Sequence, residues 1–239
     1  MTSIKLQVVA DLAPSSHQQI GPNGAPSTRA RLVGAAENLF ADRGFDNVPL
    51  CEVVAAAGQG NASAVNYHFG GRDGLLAAVL QKHQPGIERR RNALLDRIEA
   101  RRRPTLRALV VALVEPAAEK LDDADGGPAY LRIMDQLFRS PGFGEKLLAS
   151  TPDSARERLV GLIGRCVPAV TPQLAVLRGT LAATQLFSTL AFVARLEAEG
   201  DLDVRGRALF VGNLVDCIAG ALRAPVSAAV RAASGEEPK

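Results

Sequence analysis

The sequence has only three cysteines in 239 residues, Cys51, Cys166 and Cys217, far apart and with no Cys-x-x-Cys pair. That spacing argues against a disulfide framework and against a structural zinc site. Histidine is as sparse: His17, His68 and His83 do not suggest a shared site. His-Glu-x-x-His, paired Glu-x-x-His, Gly-x-Ser-x-Gly and P-loop motifs are also missing, so no enzyme chemistry and no cofactor are expected. No apolar run approaches the roughly 18 residues of a membrane span; residues 106–118 come nearest and are broken by Arg107, Glu115 and Pro116. The N-terminus carries one lysine and no apolar core followed by a small-residue cleavage site, so secretion is not expected and a soluble cytoplasmic protein is. With 47% apolar residues and 14 prolines, the chain is not mainly disordered.

The net charge of +3 is too small to decide a partner, so its distribution matters more. Residues 1–72 carry five basic and five acidic side chains and are neutral. Residues 82–103 carry eight basic groups against Glu88, Asp96 and Glu99. Such a run could face phosphates, and a solvated helix face is the commoner reading.

Residues 1–27, with Pro14, Gly21, Pro22, Gly24 and Pro26, read as a flexible arm in which the stretch 6–12 either orders or does not. Ser27 or Thr28 then caps a helix whose apolar stripe is Leu32, Ala35, Ala36, Leu39 and Phe40, ending at Gly44. A second helix opens with Pro49 at its first position and ends at Gly58, and a short third runs through Ser63, Val65 and His68 to Gly70-Gly71. A fourth begins near Arg72 and is expected to kink or break at Pro85-Gly86 before continuing to about Ala100. Helical periodicity then recurs over 105–121, 128–139, 153–166, 173–198 and 203–222, with Gly, Pro and Asp between. The fold class is all-α: a three-helix N-terminal domain over 28–72, a helical bundle of about six helices over 73–223, and a C-terminal tail over 224–239.

Residues 48–69 have the layout of a helix-turn-helix. Ala55, Ala56 and Ala57 suit a close helix approach, and Gly58 and Gly60 supply backbone freedom for the crossing. The second helix is short and offers Asn61, Ser63, Asn66, Tyr67 and His68, side chains with donors and acceptors but little bulk to bury. Such a helix fits the DNA major groove, its first turn reaching base edges. Phe45 and Phe69 read as core, and Asn61 reads equally as an N-cap.

From Arg29 to about Val79 the pattern Ala35-x-x-Leu-Phe40, Arg43-Gly-Phe45, Val53-x-Ala-x-Ala-Gly58, Tyr67-His-Phe69 and Arg72-Asp-x-Leu75 resembles the DNA-binding domain of TetR-type repressors. Val48 stands where that family usually has Thr, the turn is one residue longer, and Gly-Gly-Arg72 replaces the usual Ser/Pro-Lys. The resemblance implies that Asn61, Ser63 and Asn66 face bases or phosphates and that Tyr67, His68 and Arg72 hold the DNA backbone. Arg29 and Arg31 either reach a flanking phosphate or are simply solvated.

The last two long helices are apolar nearly all round, and a helix without a polar face needs cover on both sides. A second copy could supply it, giving a homodimer interface through Leu181, Leu186, Phe210, Leu214 and Ile218; a fully buried intrachain pair is the alternative. The resemblance further implies a small effector. Leu109, Leu113, Tyr130, Met134, Phe138 and Phe187, with Val110, Ile133, Leu137, Phe143, Leu159 and Leu162, could wall a cavity for a lipophilic ligand such as an acyl chain. Arg178 could hold its carboxylate, or pair with Asp135 or Glu115. The expected protein is a dimeric repressor of a palindromic operator, released when effector pushes the 72–100 helix about Pro85. The runner-up is a helical adaptor or all-α binding protein that does not bind DNA.

Overall fold

The computed structural model describes residues 27–61, 63–101, 104–140, 154–167 and 170–234. Residues 1–26 of the expected arm, Phe143, and Arg102 and Arg103 of the basic run lie outside them. Among the described residues there is no strand. The helices are α1 (Thr28–Arg43), α2 (Leu50–Ala56), α3 (Ala64–Phe69), α4 (Arg72–Glu99), α5 (Leu106–Ala118), α6 (Gly127–Arg139), α7 (Ser154–Gly164), α8 (Pro172–Glu199), α9 (Val204–Arg223) and α10 (Ala228–Ala233). Short 3-10 turns at Phe45–Asn47 and Glu119–Asp122 follow α1 and α5.

Local chemistry explains most of the boundaries. The Ser27 hydroxyl accepts the Ala30 N–H at 3.2 Å and so caps α1. Thr171 and Asp203 cap α8 and α9 in the same way. Pro49 is the N-cap of α2 rather than its first helical residue. Of the kink or break expected at Pro85, the break is not there. α4 runs unbroken for 28 residues with Pro85 inside it. An interior proline costs about 3 kcal/mol, and burial of Leu80, His83 and Ile87 around it holds the helix together. α10 forms within the expected tail, capped by Ser227.

The chain packs as two compact units that cut across its order. The first takes residues up to Ile87 and then from Glu119 to the end of α6; the second takes Glu88–Ala118 and α7 onward. In the first, α1 buries Leu32, Val33, Ala36, Phe40 and Ala41, and packs on α2 and α6. α6 contributes Tyr130, Leu131, Ile133, Met134 and Leu137, and its Gln136 amide donates to the Ala41 carbonyl at 2.9 Å. In the second, Leu95, Ile98, Leu109, Ala112, Leu159 and Leu162 form one apolar cluster. Leu186, Leu190 and Val193 of α8 and Leu214, Val215 and Ile218 of α9 are also buried in this unit. Among the described residues α8 alone is long and apolar enough, by length and composition, to cross a membrane, and a third of its most apolar stretch is buried within the chain.

Candidate nucleic-acid interface

α2, the following turn and α3 form the head. Val53 and Val54 of α2 and Ala64, Val65 and Phe69 of α3 point inward. Of the three consecutive alanines only Ala57 is buried; Ala55 and Ala56 are exposed, so the close approach rests on one small residue and not three. Gly58 takes φ +65°, as the turn requires, whereas Gly60 has no positive φ. The α3–α4 corner is tighter still. A Cβ on Gly74 would lie 1.8 Å from the Phe69 carbonyl oxygen, so no larger residue fits there.

Short as it is, α3 has one packed side and one open side. Asn66 and Tyr67 face solvent, Tyr67 at 85% exposure. A tyrosine so open gains almost nothing from burial, which leaves its ring and hydroxyl available to a partner. Ser63 is exposed as well. The Asn61 side chain turns back: its Oδ1 accepts the Ser63 N–H at 2.9 Å, so the oxygen serves the turn. His68 is half-buried, edge-on to Tyr67 at 5.0 Å between ring centroids.

The cations expected at phosphates divide. Arg31 is exposed, with one contact to Thr28 Oγ1 at 3.4 Å. Arg29 lies over the Phe69 ring at 5.1 Å, a cation–π contact that ties α1 to α3. Arg72 has partners within the chain. Its Nη1 donates to the Phe45 carbonyl at 2.7 Å and its guanidinium lies 5.6 Å from the Phe45 ring centroid. Phe45 itself is half-buried and meets Phe40 edge-on at 5.3 Å. Arg72 therefore braces the head from the start of α4.

Behind the head lies a buried polar cluster absent from the expected site. Glu37 of α1 and His83 of α4 are almost wholly buried, with Glu37 Oε1 at 2.5 Å from His83 Nε2. Lys82 Nζ reaches Glu37 Oε2 and Asp125 Oδ1, both at 2.8 Å. Burial alone would lower the Lys82 ammonium, but its hydrogen bonds to Asp125 and Glu37 outweigh this and raise it above the ordinary lysine value. Lys120 donates to Asp123 at 2.8 Å and holds that carboxyl below the ordinary range. A cleft of about 560 Å³ opens beside the cluster, lined by Glu37, Lys82, Asp122, Asp123, Asp125 and Arg132 among others. One sequence signal marks these residues. Glu37 falls on the buried stripe between Val33 and Ala41, and His83 one turn beyond the buried Val79.

The sequence matches the family model "Bacterial regulatory proteins, tetR family" over residues 32–79 and "Tetracyclin repressor-like, C-terminal domain" over residues 111–221. The chain belongs to the TetR family. As a TetR-family regulator it is a DNA-binding transcription regulator with a ligand-binding domain, and not an enzyme. A TetR-family transcription regulator from Shewanella sp. PV-4 is 15% identical with a TM-score of 0.54, over 80% of this chain and 97% of that one. A TetR-family regulator from Streptomyces coelicolor A3 is 24% identical with a TM-score of 0.41, over 80% and 94% respectively. No curated protein matches the sequence.

The residues expected to wall the regulator's effector cavity fall in two sets. Leu109 sits in the apolar cluster of the second unit, with Leu113 packed against it. Tyr130 and Met134 are buried in the first unit, and Phe138 is half-buried there. Phe187 is half-buried on α8. None of these lines the cleft beside Glu37. Arg178 does not pair with Glu115, which faces Arg90. Its Nη1 and Nη2 donate to the carbonyls of Leu222 and Ala224 at 3.0 and 2.6 Å, satisfying the open end of α9, where a cation also suits the helix dipole.

Of the five expected interface residues, Leu186, Leu214 and Ile218 are core within the second unit, Phe210 is half-buried and Leu181 is 68% exposed. The apolar side chains left open share only Leu181 with that set: Val176, Leu177 and Leu181 on α8, and Leu209 on α9 at 74% exposure. The sequence pattern showed apolar residues all round; packing inside the chain took one stripe and left the other.

Proposed function

We propose that this TetR-family protein is a ligand-responsive repressor that acts in the cytoplasm and binds a palindromic operator as a homodimer. In this reading α3 enters the major groove, with Ser63, Asn66 and Tyr67 at bases or phosphates and Arg31 and His68 at the flanking backbone. The observation that carries it is the open polar side of α3, with Tyr67 85% exposed, on a helix whose other side is packed. Arg72 assists by bracing the loop after α1. Because residues 1–72 are electrically neutral, affinity rests on a few placed contacts, each adding about one unit to the salt slope. Half-sites lie about 34 Å apart or a longer multiple of a helical turn.

The exposed Val176, Leu177 and Leu181, clustered near the start of α8, and Leu209 on α9 support pairing through these two helices, since exposed apolar patches mark interaction surfaces. An aliphatic interior with 4% aromatic residues supports a lipophilic effector, which lowers operator affinity to the extent that it prefers the DNA-incompetent arrangement.

Fluorescence anisotropy with DNA from the protein's own promoter region tests the repressor reading, at moderate salt. Sequence-selective binding is expected, lost in Tyr67→Ala and Asn66→Ala with fold and dimer intact. Absence of selective binding by the wild type, or its persistence in both variants, overturns it. Sedimentation of Leu181→Glu tests the interface; a dimer that survives the charge refutes that face.

A further inference from the structure

We propose that Glu37, Lys82 and His83 form a polar latch that fixes how the head is presented, so that operator affinity depends on side chains that touch no DNA. The proposal rests on the reading of α3 as the DNA-reading helix.

Two elements, α4 and the loop before α6, converge on one carboxylate of α1. His83 approaches Glu37 Oε1 at 2.5 Å and Lys82 approaches Oε2 at 2.8 Å, both from α4. From the loop before α6, Gly126 comes so close, at φ +84°, that a Cβ there would lie 1.9 Å from Glu37 Oε2. The ring is closed outside these contacts. Asp123 Oδ2 lies 3.7 Å from His83 Nδ1 and accepts from Lys120, Asp125 bonds Lys82, and the Tyr130 ring lies against His83 at 4.7 Å.

Stability alone does not account for this cluster, since a buried ion pair is often matched or bettered by apolar side chains of similar volume. What it adds is direction. Apolar contacts tolerate sliding, whereas charge-assisted hydrogen bonds hold only near one geometry. Glu37 lies on the helix that also carries Arg29 against Phe69 of α3 and Phe40 against Phe45. A shift of α1 therefore moves α3 with it. Glu37, Lys82 and His83 are thus positioning residues for DNA binding.

The test compares Glu37→Gln, His83→Gln and Lys82→Gln with wild type and with Tyr67→Ala. It uses anisotropy on one operator fragment across a salt series, thermal melting, and hydrogen exchange. For Glu37→Gln and His83→Gln the expected loss of affinity is about tenfold, with an unchanged salt slope because no phosphate contact is removed. Exchange should quicken in α1–α3 while α5, α8 and α9 keep wild-type protection. Tyr67→Ala should lose affinity with exchange unaltered. Should Glu37→Gln or His83→Gln fail to fold, Lys82→Gln, whose side chain is partly open to solvent, carries the test with an expected loss of about threefold. Wild-type affinity in these variants, or a loss no larger than their unfolded fraction, overturns the latch. A wild type that binds no operator at all refutes the reading of α3, and the latch with it.

Discussion

The unit that carries the head buries Glu37, His83 and Asp135 among its apolar side chains. In the second unit no described charged residue is buried. Its ion pairs are open or partly open to solvent instead: Arg107 with Asp216 and Arg158 with Asp96 and Glu99, with Arg207 and Glu197 half-buried. The two units hold helices together by different means. In the second, apolar area does the work and the ion pairs are nearly incidental, as exposed pairs usually are. In the first, part of the packing depends on a directional polar contact whose loss leaves charges stranded. A region that must hold a reading helix in one orientation suits the second kind of chemistry, and a region that mainly needs bulk and cover suits the first.

Four measurements break or sharpen that contrast. The largest effects should come from Glu37→Ala and Leu190→Ala, one in each unit. Glu37→Ala strands His83 and leaves Lys82 with Asp125 alone, a cost of about 3 kcal/mol. Leu190→Ala empties a fully buried site and costs about 3 kcal/mol as well. Urea unfolding gives both values. The sharpening lies in hydrogen exchange, which should rise first in α1–α3 for the former and in α8–α9 for the latter. Next, Arg107→Ala breaks an ion pair whose side chains are 61% and 62% exposed, so its cost should stay under about 0.5 kcal/mol. A loss near that of Glu37→Ala would erase the distinction between the units.

The smallest effect concerns acid. Lys120 depresses the Asp123 carboxyl below its ordinary value of 3.8. A depressed carboxyl contributes stability that is full above its unfolded value and is lost as pH falls through its folded one. Lys120→Met should therefore lower the melting temperature at pH 7, and the gap from wild type should close in acid as Asp123 takes up its proton. A gap that persists in acid would show that Lys120 acts through packing and not charge.

Much of the fold was legible in the sequence because its signals are local. Ser27, Thr171 and Asp203 cap helices where the apolar periodicity begins, and α8 and α9 start and stop within a residue or so of the expected 173–198 and 203–222. The open side of α3 was legible for the same reason, since a short helix with Asn66, Tyr67 and His68 has little to bury. At Pro85 a kink or a break was expected, and the break did not occur, because local propensity counts the lost hydrogen bond and not the packing on either side. For Arg72 the resemblance implied a phosphate, and for Arg178 a ligand carboxylate or a salt bridge was expected; within the chain each meets backbone carbonyls, at Phe45 and at Leu222 and Ala224. An arginine's reach is visible in a sequence; which acceptor lies within it is not.

The sequence by itself determined the helices, their ends, and the class of protein, because periodicity, caps and motif spacing act over a few residues. Only the tertiary structure decided that Glu37 meets His83 across 46 positions and that Leu186, Leu214 and Ile218 turn inward while Leu181 stays open. Those choices depend on which surfaces the folded chain brings within a few ångströms, and no stretch of sequence encodes that contact on its own.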